Sequence, residues 1–317
     1  MSATLLDKLR AIIQQDVGNR GLARDPLDNL FTACRDDFAA ACRSIAETPH
    51  PALAVVTGFP IVIGDPPFYN ETDGPLGALF LARALIPLDI KVGMLVDPSC
   101  QPPLKIGLDA CGLSGTVGVN TLPPRRHPWS TFVDLDWSHF CASVPLTHLV
   151  ALERVGPGSD DHCRNMRGRD ITNETNPTHL LFEHAARRTP TLCTIGIGDG
   201  GNEIGMGKIP LDTIRRNIPN GEHIACRVAT DHLIVAGISN WGAYALVAGV
   251  ALLRGRRLPP SLFEAERERE LLRVMVEEGP LVDGITARPT VSVDGLSFED
   301  YIQPLRQMGE LLGNEDG

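Results

Sequence analysis

From residue 52 onward the chain alternates short apolar runs with turn residues and helix-like stretches. Nine runs have strand length and are bounded by Gly, Pro, Asn or Asp: 52–57, 61–63, 91–96, 116–119, 131–135, 147–152, 191–197, 223–228 and 233–236. Helical spacing of apolar residues predicts helices over 75–86, 178–188, 211–214, 241–253 and 261–278. Uninterrupted apolar strands alternating with helices predict an α/β fold, with a largely parallel sheet covered by helices on both faces. Residues 1–47 read differently, with Leu5, Leu6, Leu9, Ile12 and Ile13, then Phe38, Cys42 and Ile45, at helical spacing. They predict an N-terminal helical appendage that ends before Pro49 and Pro51. The expected organisation is one α/β domain over 1–317, with its core in 48–317. Loops rich in Pro, Arg or Gly break the pattern at 122–130 and 156–175.

One stretch needs a membrane test, because 233–253 is 21 residues without a charge. Ser239-Asn240 interrupts it and the period changes there, so a strand followed by a buried helix is expected, not a membrane span. Met1 to Gln15 has no apolar core of a signal peptide, and a cytoplasmic location is expected. Composition then narrows the function. The chain is 43% apolar, which suffices for a sizeable core, and carries 29 Lys+Arg against 39 Asp+Glu. An acidic chain neutralises phosphates poorly, so nucleic acid is not an expected partner. Its eight cysteines form no CxxC pair and sit among apolar neighbours, as reduced thiols do.

Two glycine-rich loops carry carboxylates directly after apolar runs. The first, Tyr69-Asn-Glu-Thr-Asp-Gly-Pro-Leu-Gly77, leads into a helix that is apolar all round except at Arg83. It places Glu71, Thr72 and Asp73 at a helix start above a sheet, where α/β enzymes bind ligands. The second is Gly196-Ile-Gly-Asp-Gly-Gly-Asn-Glu-Ile-Gly-Met-Gly-Lys208. Formally it contains the dinucleotide fingerprint, but Asp199 stands inside the phosphate cradle and Glu203 follows, and both repel a pyrophosphate. No nucleotide or NAD is expected. What this loop offers is backbone freedom with the oxygen donors Asp199, Asn202 and Glu203, which suit a hard divalent cation, Mg²⁺ or Mn²⁺. Weaker features are Glu153-Arg154 at a strand end, Asp231-His232, and Val282-Asp-Gly-Ile-Thr286, read with equal weight as a turn or a further polar wall. A metal-dependent phosphohydrolase and a non-enzymatic small-ligand or metal-binding protein remain alternatives at this stage.

Thr57-Gly-Phe-Pro60, Asn70-Glu-Thr-Asp-Gly-Pro75, Glu153-Arg154, the loop Gly196 to Gly207, Asp231-His232 and Gly237-Ile-Ser-Asn-Trp-Gly242 occur in that order. Together they resemble the D-glutamate cyclase carboxy-terminal domain family, over about residues 20–300. The resemblance implies a stand-alone member of prokaryotic type, a lyase that converts D-glutamate to 5-oxo-D-proline with loss of water. It also implies a divalent metal and a small acidic amino acid as partner, with a homo-oligomer left open. Carried onto these motifs, it makes Thr57, Gly58, Asn70, Thr72 and Asn202 candidate substrate contacts. Convergence of acids on the two loops predicts metal ligands Asp73, Asp199 and Glu203, with Glu71, Asp73 and Glu203 as the catalytic carboxylates. Glu71, next to Asp73 and an apolar helix, is expected to be the general base. Glu153 and Arg154 are expected to clamp the amino-acid head, and the helix start at Asn240 and Trp241 to receive the α-carboxylate.

Overall fold

Six strands form one all-parallel sheet: β1 (Ala52–Thr57), β4 (Lys91–Val96), β5 (Val119–Thr121), β6 (His148–Leu152), β7 (Cys193–Gly198) and β8 (His232–Val235). Their order is β5-β4-β1-β6-β7-β8. These relations come from a computed structural model, which describes residues 2–64, 68–123, 125, 145–185 and 192–313. Along β1, Leu53 and Val55 enter one core while Ala52, Ala54 and Val56 enter another on the opposite face. A strand buried on both sides has no reason to alternate in polarity, which is why these strands read as unbroken apolar runs.

The larger core is built around two helices, Pro75–Leu85 and Ser239–Leu253. All residues of the first except Arg83 are buried, and so is the second from Ser239 to Ala251. At about 1.5–3 kcal/mol for each fully buried large apolar side chain, this pair is a main source of stability. Arg83 is reconciled with its surroundings by pairing with the buried Glu268 of helix Ala265–Glu277. The N-terminal helices Ser2–Ile13 and Asp37–Glu47 contribute Leu6, Leu9, Ile13, Phe38 and Ile45 to the same core. Cys42 lies against Gly249, where a Cβ would come within 2.4 Å of its sulfur. No helix among the described residues is long and apolar enough to cross a membrane. The seven described cysteines are free thiols.

A smaller three-stranded sheet packs beyond the carboxyl end of β1. It consists of β2 (Pro60–Val62), β3 (Phe68–Glu71) and β9 (Leu281–Val282), with β3 antiparallel to β2 and parallel to β9. Two differences from the sequence expectation have identifiable causes. Residues 223–228 do not form a strand. They begin in the short helix Gly221–Ile224, and the stretch after it divides its backbone bonds between loops, Cys226 N to Gly201 O and Arg227 N to Pro157 O. The strand expected at 116–119 starts at Val119, because Thr116 and Val117 close a turn onto Leu113 O. The helix expected over 178–188 is seen as His179–Ala185, and the strand expected at 131–135 lies outside the described residues.

Candidate active site

The sheet's order reverses at β1: the chain adds β4 and β5 on one side of it and then returns to add β6, β7 and β8 on the other. Ligands of open parallel sheets bind at the carboxyl ends of strands beside such a reversal. Here β1 runs into Thr57-Gly58, β6 into Glu153-Arg154 and β7 into Asp199. Glu153 has a φ of 44°, a left-handed backbone that is uncommon for any residue but glycine. The turn aims its carboxylate at Ser239 Oγ, 2.5 Å away. The next residue goes elsewhere: Arg154 bonds Asp97 Oδ2 (2.6 Å), Gly58 O, Thr178 Oγ1 and Asn176 O. Arg154 is fully buried and all three of its guanidinium nitrogens are engaged, so it ties the ends of β1, β4 and β6 together. The expected clamp of Glu153 with Arg154 is therefore split by the structure.

Asp73 follows β3 and meets the start of helix Ser239–Leu253. Its Oδ2 accepts from Ser239 N at 2.9 Å and its Oδ1 from Asn240 N at 2.8 Å. Asn240 returns the arrangement, with Oδ1 accepting from Gly74 N and Gly77 N at the start of the other buried helix. Each helix thus caps the other. The N–H groups expected to receive a substrate carboxylate already hold that of Asp73. Trp241 turns into the core, donating Nε1–H to Tyr301 O.

In the second glycine-rich loop, Glu203 folds back onto its own backbone, accepting from Asp199 N (3.1 Å) and Gly201 N (2.8 Å). Gly201 has a φ of 100°, which a side chain would strain. Asn202 is 1% exposed. Its Nδ2 donates to Arg164 O, while its Oδ1 has no partner. These groups border a cavity of about 280 Å³ that also takes in Glu71, Glu153, Asp294 and Arg20. Arg20 reaches in from the segment after the first helix and lies 2.5 Å from both Asp199 Oδ2 and Asp294 Oδ2.

Six carboxylates, counting the adjoining Asp73, outnumber the guanidinium groups of Arg20, Arg167 and Arg169, which leaves the cavity anionic. Burial pushes the carboxyls of Glu71, Glu153 and Asp199 well above the ordinary range, and the neighbouring acids add to it. For Asp73 burial and Asp294 outweigh the helix-start N–H groups, and its carboxyl is pushed up to about 7. Crowded buried acids of this kind are stabilised by a cation or a proton.

Of the residues expected from sequence, Glu71, Glu153, Asp199, Asn202 and Glu203 line the cavity. Asp73 adjoins it through Asp199 and Asp294. Thr57, Gly58, Asn70, Thr72, Arg154, Asn240 and Trp241 are not among the residues that line it. Thr72 Oγ1 donates to Ser292 O, and Asn70 Nδ2 to Ser99 Oγ, so both brace loops. Asp283 also braces a loop: its carboxylate accepts from Ile285 N, Thr286 N, Ser292 Oγ and Gly295 N. Sequence reasoning missed Arg20 and Asp294. The only local signals are turn signatures, Asp16 accepting from Arg20 N and Gly21 N, and Asp294-Gly295 between two short strands.

The donor set fits a divalent cation. Two groups, Asp73–Asp199–Asp294 and Glu153–Asp199–Glu203, each bring ligand oxygens within 4.8 Å of one another, and Asn202 Oδ1 is an oxygen without a partner. All donors are hard oxygens, as Mg²⁺ and Mn²⁺ prefer. Asp73 and Glu203 do not fall in one group, so the expected three-acid set divides at Asp199.

Comparison with known proteins agrees with this geometry in extent. A family model described as D-glutamate cyclase-like, C-terminal, matches residues 9–309, a span that includes both Arg20 and Asp294. The human protein D-glutamate cyclase, mitochondrial, is 31% identical over 320 residues, covering 92% of this chain and 49% of the human one. The chain thus spans about half the length of that curated relative. With the match running from the first helix to the last, the chain belongs to the D-glutamate cyclase-like C-terminal family.

Proposed function

We propose that this chain is a lyase that closes D-glutamate to 5-oxo-D-proline, with release of water, in the carboxylate-lined cavity. The observation that carries the reading is the gathering of Glu71, Glu153, Asp199, Glu203 and Asp294 at one sheet edge in a member of this family. Glu153, Asp199, Glu203 and Asn202 would hold a divalent cation, which when bound supplies Lewis-acid polarisation of the substrate's γ-carboxylate. Ring closure forms a bond between the α-nitrogen and the γ-carboxyl carbon and breaks one carbon–oxygen bond. The ammonium gives up two protons and the departing oxygen takes up two, so water leaves and the charge balances.

Glu71 is assigned as the base. It lines the cavity, and burial with Asp294 and Asp73 nearby raises its carboxyl towards the pH at which an acid–base catalyst works best. It would take a proton from the ammonium and return one to the leaving oxygen. Arg167 and Arg169 line the same cavity and supply positive charge for the α-carboxylate, a task the helix start at Ser239 cannot perform. Phe59, Ile61 and Val62 form an apolar wall that favours the folded substrate chain and limits water.

Incubating the pure protein with D- or L-glutamate and Mn²⁺ or Mg²⁺, without ATP, tests the reading. Formation of 5-oxoproline is expected, and Glu71→Gln should abolish it while Mn²⁺ still binds. Absence of product with every metal, or phosphate release from esters instead, would overturn it.

A further inference from the structure

We propose that the Arg20 guanidinium is a resident cation that fills one of two adjoining cation positions, so that the chain takes a single divalent ion, at Glu153, Asp199, Glu203 and Asn202. The inference rests on the cation reading given above. The two carboxylate groups share Asp199, and each gathers its oxygens within 4.8 Å. Opposite oxygens of a six-coordinate magnesium lie about 4 Å apart, from metal–oxygen bonds of about 2.0–2.1 Å. Each group therefore has the span of one ion's ligand shell. A carboxylate common to both is the layout of a two-ion centre, whose ions stand roughly 3.5–4 Å apart.

The two positions are filled differently. Arg20 enters the first and rests its two terminal nitrogens on Asp199 and Asp294, each at 2.5 Å. The contact brings positive charge onto Asp199, the carboxylate that the two groups share. Its arm is fixed: Asp16 accepts from Arg20 N and Gly21 N, and a Cβ on Gly21 would fall 2.1 Å from Asn217 O. The second position is met by dipoles instead, Ser239 Oγ on Glu153 and two backbone N–H groups on Glu203. It also holds the unpartnered Asn202 Oδ1. A Cβ on Gly200 would stand 2.8 Å from that oxygen and 2.9 Å from Glu203 Oε1, so the two oxygens face one spot.

Equilibrium dialysis of Mn²⁺ with electron paramagnetic resonance reads the ion count and any spin coupling directly. Wild type and Arg20→Lys should bind one ion per chain, with an isolated six-line spectrum. Arg20→Gln should bind two, with a broadened, coupled spectrum, and Arg20→Gln with Asp294→Asn should return to one. Two ions in wild type, or one uncoupled ion in Arg20→Gln, would overturn the assignment of Arg20. Should Arg20→Gln fail to fold, the wild-type position is tested separately. Asn202→Ala and Glu203→Gln should weaken Mn²⁺ binding by about 10–100-fold, whereas Asp294→Asn should change it less than about twofold, well short of that range. The opposite ranking would overturn the proposal. No Mn²⁺ bound by wild type would instead remove the cation reading on which it stands.

Discussion

At the scale of single residues, the cavity is held by contacts that leave no room for change. A Cβ on Gly284 would fall 2.1 Å from Glu71 Oε2. Gly284→Ala must therefore push the Glu71 carboxylate aside and crowd Asp294 Oδ1, which would lie 3.1 Å from the new Cβ. Steady-state kinetics should show a fall in kcat of at least about tenfold, equivalent to about 1.4 kcal/mol of lost transition-state stabilisation, with a melting temperature close to wild type. His148 provides a test unconnected with the cavity. Burial lowers its pKa from 6.5 to about 4, and its Nδ1 lies 2.7 Å from Thr147 Oγ1. Between those two values the unfolded chain binds the extra proton. Its contribution to stability is thus complete above pH 6.5 and is lost as pH falls through about 4. The loss amounts to about 3 kcal/mol, and urea titrations across pH should show a shallower acid limb in His148→Leu. Glu71, Asp73, Asp199 and Glu203 were readable from sequence because glycine-rich loops displayed them, whereas Asp294 was not. Arg20 was not, since one arginine in an N-terminal turn looks like any solvated charge until Asp199 and Asp294 are brought to it.

At the scale of elements, most strands of the large sheet were legible, the short run 233–236 included, while 223–228 misled and two strands of the small sheet were missed. Runs 52–57 and 91–96 have the bounds of β1 and β4, because strands buried on both faces carry their signal in composition alone. β3 and β9 were invisible: they are short, and their pairing depends on residues distant in sequence. A helix over 241–253 starting at Asn240 was expected and is seen as Ser239–Leu253, with its first N–H groups held by Asp73 from a distant part of the chain. Arg154 shows what such long-range fastening contributes. It joins the ends of β1 and β4 to the 176–178 segment. Arg154→Met should leave Asp97 buried without its cation, at a cost of about 3–5 kcal/mol, measured by equilibrium denaturation in urea.

For the whole molecule, ligand linkage provides the strongest check of the cavity. An ion that binds the folded chain and not the unfolded one adds about 2.7 kcal/mol at a hundredfold excess over its Kd. Thermal melts should rise with Mn²⁺ concentration in wild type, and the rise should be largely lost in Glu203→Gln. The overall layering was readable from the alternation of strands and helices, whereas the cavity draws on both ends of the chain, which no local window reveals.

That last arrangement governs how the protein must be made. Arg20 leaves the ribosome long before Asp199 and Asp294, and β3 must wait for β9 before the small sheet can close. Contacts between distant parts of a chain form late and slowly, after their loop entropy has been met. During synthesis, therefore, the nascent chain can assemble its parallel sheet and set Glu153 beside Asp199 and Glu203 while Asp294 is still to come. The Asp73–Asp199–Asp294 group and the Arg20 ion pairs are complete only once residue 294 has emerged, so the two halves of the cavity are built in turn.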